Sequence, residues 1–98
     1  MRETEREVEQ SIAFKRDIRR EGKGPNLTTL NVVLPEVLAD LIADVPLPAK
    51  YHDHKLSGEW EGYRECHLKP DLLLIYEKPD EKTLRLERLG THSKLFRK

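Results

Sequence analysis

Four histidines, His52, His54, His67 and His92, all fall in the second half of the chain, with Asp71 among them. Imidazole titrates near pH ~6.5, so it can both give and take a proton at neutral pH. Cutting an RNA strand needs both abilities: a base draws the proton from a 2′-hydroxyl, and an acid protonates the departing 5′-oxygen. Such groups contribute ~10²–10⁴-fold each. A cation or hydrogen-bond donor that stabilises the extra charge on the phosphate can match that. The nucleophile belongs to the substrate, so this chemistry needs no metal. Taken singly, each residue also has an ordinary structural reading. His54 sits in a polar His52-Asp53-His54 loop, His67 near a strand end, Asp71 in a turn, and His92 just past the last strand. Arg88 is equally suited to pairing with an acid.

Two other chemistries fit less well. His52-x-His54 with Cys66-His67 further on invites a metal, but the chain has no Cys-x-x-Cys pair and its spacing matches no standard zinc site. A Cys66–His67 nucleophile pair fails on geometry, because neighbours on a strand point to opposite faces. No glycine-rich phosphate loop is present. The expectation is a site without metal or cofactor.

The elements that must position these residues divide the chain in two. Residues 4–10 suggest a short edge strand, although the composition of the first ten residues, rich in Glu and Arg, predicts that they order only with a partner. Ser11 suits an N-cap and Gly22 a helix stop, with Phe14 and Ile18 as the apolar stripe between them. Arg16, Arg19, Arg20 and Lys23 recur on another face, fitted to solvent, phosphate or an acidic partner. Leu30, Val33, Leu34, Val37, Leu38, Leu41, Ile42 and Val45 predict an amphipathic helix over 27–45, interrupted by Pro35. That proline implies either a kink or a fresh helical start. Segments 63–68, 72–78 and 83–89 read as strands, joined by the turns Lys69-Pro70-Asp71 and Pro79-Asp80-Glu81. Turns this short require antiparallel neighbours. The expected architecture is α+β: two helices on one face of a small antiparallel sheet, with the other face or one end left open.

Bulk composition narrows the function classes. The 98 residues fit one domain spanning 1–98. With 18 basic and 18 acidic residues, net charge gives no argument for nucleic-acid binding. The single cysteine, Cys66, allows no internal disulfide. No apolar signal core opens the chain, and no run approaches the ~20 residues needed to cross a bilayer. A cytoplasmic protein without membrane attachment is expected.

The motifs in residues 47–96 occur together in a specific order. Leu47-Pro48-Ala49-Lys50-Tyr51-His52-Asp53-His54-Lys55-Leu56-Ser57-Gly58 precedes Trp60-Glu61-Gly62-Tyr63-Arg64-Glu65-Cys66-His67. Pro70-Asp71, Leu74-Ile75-Tyr76 and Arg88-Leu89-Gly90-Thr91-His92-Ser93-Lys94-Leu95-Phe96 follow. This resembles the YafQ branch of the RelE/ParE toxin superfamily. The resemblance implies a toxin of a type II toxin–antitoxin pair that cleaves mRNA on the ribosome without a metal and is held by a cognate, DNA-binding antitoxin. It places function on His54, His67, Asp71, His92 and Phe96, and Arg88 matches the arginine before the Gly-Thr-His motif. Leu72 stands where some relatives carry Trp. His54 and His92 would transfer protons, in an order left open, and His67 and Asp71 would join or orient them. Arg88 would hold the scissile phosphate, and Phe96 would stack on a base. Two alternatives stand beside this reading: a ParE-like toxin that blocks gyrase without cutting RNA, and a degenerate toxin that only binds its antitoxin and co-represses.

Overall fold

The structure, a computed structural model, describes residues 5–96. Its order is β1 (Glu7–Gln10), α1 (Ile12–Glu21), α2 (Leu27–Ile42), β2 (His54–Lys55), β3 (Arg64–Lys69), β4 (Leu72–Glu77), β5 (Thr83–Gly90) and α3 (His92–Leu95). One five-stranded sheet runs β1-β5-β4-β3-β2. Strands β2 to β5 pair antiparallel, as the short turns require. The sheet as a whole is mixed, because β1 runs parallel to β5.

That parallel strand revises the reading of the first ten residues. Residues 1–4 lie outside the described residues, but Glu7–Gln10 form a strand with no partner protein. Backbone pairing holds it: Glu7 N–H donates to the Lys82 carbonyl (2.7 Å) and Ser11 N–H to that of Leu86 (3.0 Å). Arg6 adds an ion pair to Asp44 (2.8 Å).

Ser11 does cap α1, its Oγ accepting the Phe14 N–H at 2.9 Å, and the Gly22 N–H closes the last turn on Ile18. Helix α2 passes unbroken through Pro35. Pro35 and Asn31, whose carbonyl loses its partner, are both exposed, so water can supply the missing bond. The helix stops at Ile42, short of the expected 45. Asp44 adopts a left-handed conformation (φ 59°). The Val45 and Asp44 amides turn back to the carbonyls of Asp40 and Leu41, a Schellman closure without its usual glycine.

Strand β4 is buried on both sides over residues 72–76, which explains its unbroken apolar run. One face packs Leu72, Leu74 and Tyr76 against Phe14, Val37 and Leu41 of the two helices. The opposite face carries a smaller cluster, Leu73, Ile75 and Leu95, flanked by Leu56, Trp60, Tyr63 and Phe96. Where β1 ends, α1 takes over the edge of β5. The Leu89 N–H donates to Asp17 (2.9 Å), and its carbonyl accepts from Arg20 Nη2 (2.9 Å). Gly90 makes this approach possible: a Cβ there would lie 2.9 Å from Arg20 Nη2 and 3.2 Å from Leu95. No helix among the described residues is long and apolar enough to cross a membrane.

Candidate active site

Alternation along β3 sorts its side chains. Cys66 and Leu68 enter the helix-side core, while Glu65 and His67 take the other face. Burial pushes the Cys66 thiol up, far from a reactive thiolate. In the sheet register His54 stands opposite Glu65, and His67 opposite Leu73. The loop before β2 is fixed from behind, because Asp53 accepts from Arg64 Nη2 (3.0 Å) and from the Tyr76 hydroxyl. With Asp53 turned inward, His54 projects to the opposite side. His52 holds a left-handed backbone (φ 50°), which brings its carbonyl to 2.7 Å from His54 Nδ1.

Glu65 is the central anchor and is only 4% exposed. One oxygen, Oε2, lies 3.3 Å from His54 Nε2 and 3.2 Å from His67 Nε2. A carboxylate only accepts, so a proton shared along either contact rests on the imidazole. His67 is the hub of the rings, with centroids 5.6 Å from His52, 6.0 Å from His54 and 5.8 Å from His92.

His92 opens the short α3. Its backbone N–H (3.0 Å) and its Nδ1 (2.8 Å) both meet Asp71 Oδ1 from the β3–β4 turn. Those two bonds, the backbone one first, hold the Asp71 carboxyl below its usual range, so it is ionised at neutral pH and Nδ1 carries the hydrogen. Phe96, one turn on, packs at 6.3 Å from both His92 and Trp60. His54, His67, Asp71 and His92 therefore converge. Arg88 touches none of them in this structure; its Nε and Nη2 engage Asp17. A cleft of about 640 Å³ beside β3 takes in His52, His54 and His67, with Lys50 and Lys69 on its rim. His92, Asp71 and Phe96 lie outside that cleft, on the open sheet face.

Glu65, Asp53 and the His52 carbonyl were missing from the sequence reading. A signal for Glu65 existed: it precedes His67 by two residues, which on a strand means the same face. The donor atoms of His54, Glu65 and His67 also lie within 4.8 Å of one another, close enough for one metal ion. A nitrogen-rich set of this kind suits zinc or copper.

The comparisons agree with this architecture. Residues 6–97 match the family described as "Bacterial toxin of type II toxin-antitoxin system, YafQ". The mRNA interferase toxin YafQ of Escherichia coli K12 is 38% identical over 93 residues, 94% of this chain and 97% of its own. The E. coli DinJ–YafQ toxin–antitoxin complex contains a chain 40% identical (TM-score 0.79), covering 94% of this chain and 98% of that one. A metal-bound toxin from Helicobacter pylori is 46% identical (TM-score 0.78; 91% and 97% covered). The α+β fold and the family match define the class, bacterial toxins of type II toxin–antitoxin systems. Within it, this chain belongs to the YafQ toxin family.

Proposed function

We propose that this chain is an mRNA interferase, a single-domain toxin that cuts mRNA on the ribosome in the cytoplasm and is restrained by a cognate antitoxin. The likeness to E. coli YafQ, solved in complex with DinJ, supports the partner. One observation carries the chemistry: two neighbouring histidines each keep one ring nitrogen free while a carboxylate holds the other. His92 is held at Nδ1 by Asp71, leaving Nε2; His67 faces Glu65 through Nε2, leaving Nδ1. The two rings stand edge to face with centroids 5.8 Å apart, near enough to serve one phosphate group. His92 and His67 act as the proton-transfer pair, in place of the His54–His92 pair expected from the resemblance, because an acceptor faces each His54 nitrogen. His54, whose Nδ1 faces the His52 carbonyl and whose Nε2 faces Glu65, orients His67 through the carboxylate they share. Arg88 holds a phosphate oxygen, and Phe96 stacks on a base. A zinc or copper ion at His54, Glu65 and His67 would block this site by displacing its protons.

Cleavage of a defined mRNA, with and without ribosomes, tests the reading. His67→Ala and His92→Ala are expected to slow cutting by about 10²–10⁴-fold, His54→Ala by less, with cuts dependent on ribosomes. Full activity in all three variants would sink the site. Intact mRNA with damaged DNA would instead favour gyrase as the target.

A further inference from the structure

Asp17 touches no histidine, yet its side chain is fully buried (0% exposed). Its plain role is to fasten α1 to β5, but its partners imply more. Oδ2 accepts from Arg88 Nε (2.7 Å) and the Leu89 N–H (2.9 Å), while Oδ1 accepts from Arg20 Nη1 (2.8 Å) and Arg88 Nη2 (3.3 Å). Burial pushes the Asp17 carboxyl up, but the bonds from Arg88, Leu89 and Arg20 outweigh it and hold the group below its ordinary range. Asp17 is therefore a fixed anion in the sheet edge.

Arg88 meets that anion along one side of its guanidinium, the Nε/Nη2 edge. The end fork, Nη1 and Nη2, stays available, and among the described residues no acceptor engages Nη1. The sheet register places Arg88 opposite Ile75, which stands opposite Glu65; the next row joins Gly90, Leu73 and His67. Arg88 thus shares the histidine face, two strands from Glu65, or about 10 Å at the usual strand spacing.

We propose that Asp17 is the positioning residue for Arg88, gripping the guanidinium side-on so that its end fork meets the scissile phosphate. This rests on the reading of Arg88 as the phosphate-binding group. A free arginine side chain must give up rotamer freedom to form a two-point contact with phosphate. Asp17 removes that freedom before substrate arrives. Arg20 also pairs with Glu21 (3.1 Å), which takes Lys94 as well (3.4 Å), so three cations meet two carboxylates and positive charge is left over for the phosphate.

Single-turnover cleavage at saturating enzyme separates the possibilities. Arg88→Ala is expected to lose on the order of 100-fold or more. Asp17→Asn should lose about 10–100-fold in rate with substrate affinity little changed, and the double variant should be no slower than Arg88→Ala alone. Ser11→Ala is the control. It removes the α1 cap and the bond from Ser11 Oγ to the Glu87 carbonyl (2.7 Å), loosening the same helix without touching Arg88. It should lower Tm and leave the rate alone. A full-speed Arg88→Ala would remove the Arg88 reading itself. A slow Arg88→Ala beside a folded Asp17→Asn that cuts within 2-fold of wild type, or a double variant with additive losses, would overturn the role of Asp17 alone. Should Asp17→Asn not fold, Asp17→Glu keeps the charge, displaces the grip by one methylene, and should show the same rate loss. In the wild-type protein, 15N NMR gives an independent check: the grip on Nε and Nη2 must stop rotation of the guanidinium, so Arg88 Nη1 and Nη2 must appear as separate resonances, and a single averaged Nη signal would overturn the inference.

Discussion

The two faces of the sheet use the same strands for opposite ends. On the helix side, β3, β4 and β5 contribute Cys66, Leu74 and Leu84, all fully buried in a dry core. On the other side, β3 turns out Glu65 and His67, and the apolar cluster shrinks to Leu73, Ile75 and Leu95 with aromatic flanks. One residue of register separates the two. The contrast teaches a division of labour: the helix face provides stability, and that stability holds polar rings in place on a face with little packing of its own.

The comparison breaks most severely on the helix side. Leu74→Ala is expected to cost about 2–5 kcal/mol of folding stability, measured by denaturant titration, while cleavage per folded molecule stays near wild type. Equal loss of rate and stability would mean the faces are not separable. On the histidine side, Glu65→Gln should behave in reverse, because removing a group that orients a reactive imidazole typically costs about 10–100-fold. Its rate should fall with only a small change in Tm. The same variant should also be less sensitive to added zinc, since one of the three donors is altered. Unchanged zinc inhibition would place the metal elsewhere.

A subtler effect comes from pH. Asp17 and Glu21 are both held below their ordinary carboxylate values despite burial, Asp17 chiefly by Arg88 and Glu21 by Asn26, Arg20 and Lys94. A carboxyl lowered on folding stabilises the folded state fully above its unfolded value, and that contribution fades as pH falls through the folded value. Stability from these two groups should therefore be flat from pH 7 down to about 5. It should decline only below the ordinary values of 3.8 and 4.5. Chemical denaturation across pH checks this; a decline already complete by pH 5 would contradict it.

Much of the helix face was legible in the sequence, because apolar spacing at 3.6 and the run in β4 follow directly from burial. Ser11 and Gly22 marked the ends of α1 by the same local chemistry. The partner of β1 was not legible: Glu7 meets Thr83 in parallel register, and no local pattern encodes a pairing across so much chain. Pro35 misled because its cost depends on which side of α2 faces water. At the site, the histidines and Asp71 were visible as residue types, and their convergence rested on the family resemblance. The anchors behind them were harder to see. Glu65 reads as an ordinary polar strand residue until β2 lays His54 across from it, and Asp17 reads as one charge among many on α1.

The side chains that α1 lends to β5 have a further consequence. Beyond Leu86 the outer edge of β5 has no neighbouring strand among the described residues, and a bare strand edge invites another chain to add to it. Here the Asp17 carboxylate stands in for a peptide carbonyl and the Arg20 guanidinium for a peptide N–H, so Leu89 offers nothing to a newcomer. The sheet's two border strands are the four-residue β1, bearing Glu7 and Glu9, and the two-residue β2. Stretches so short and so charged make poor templates for a fibril or a swapped dimer.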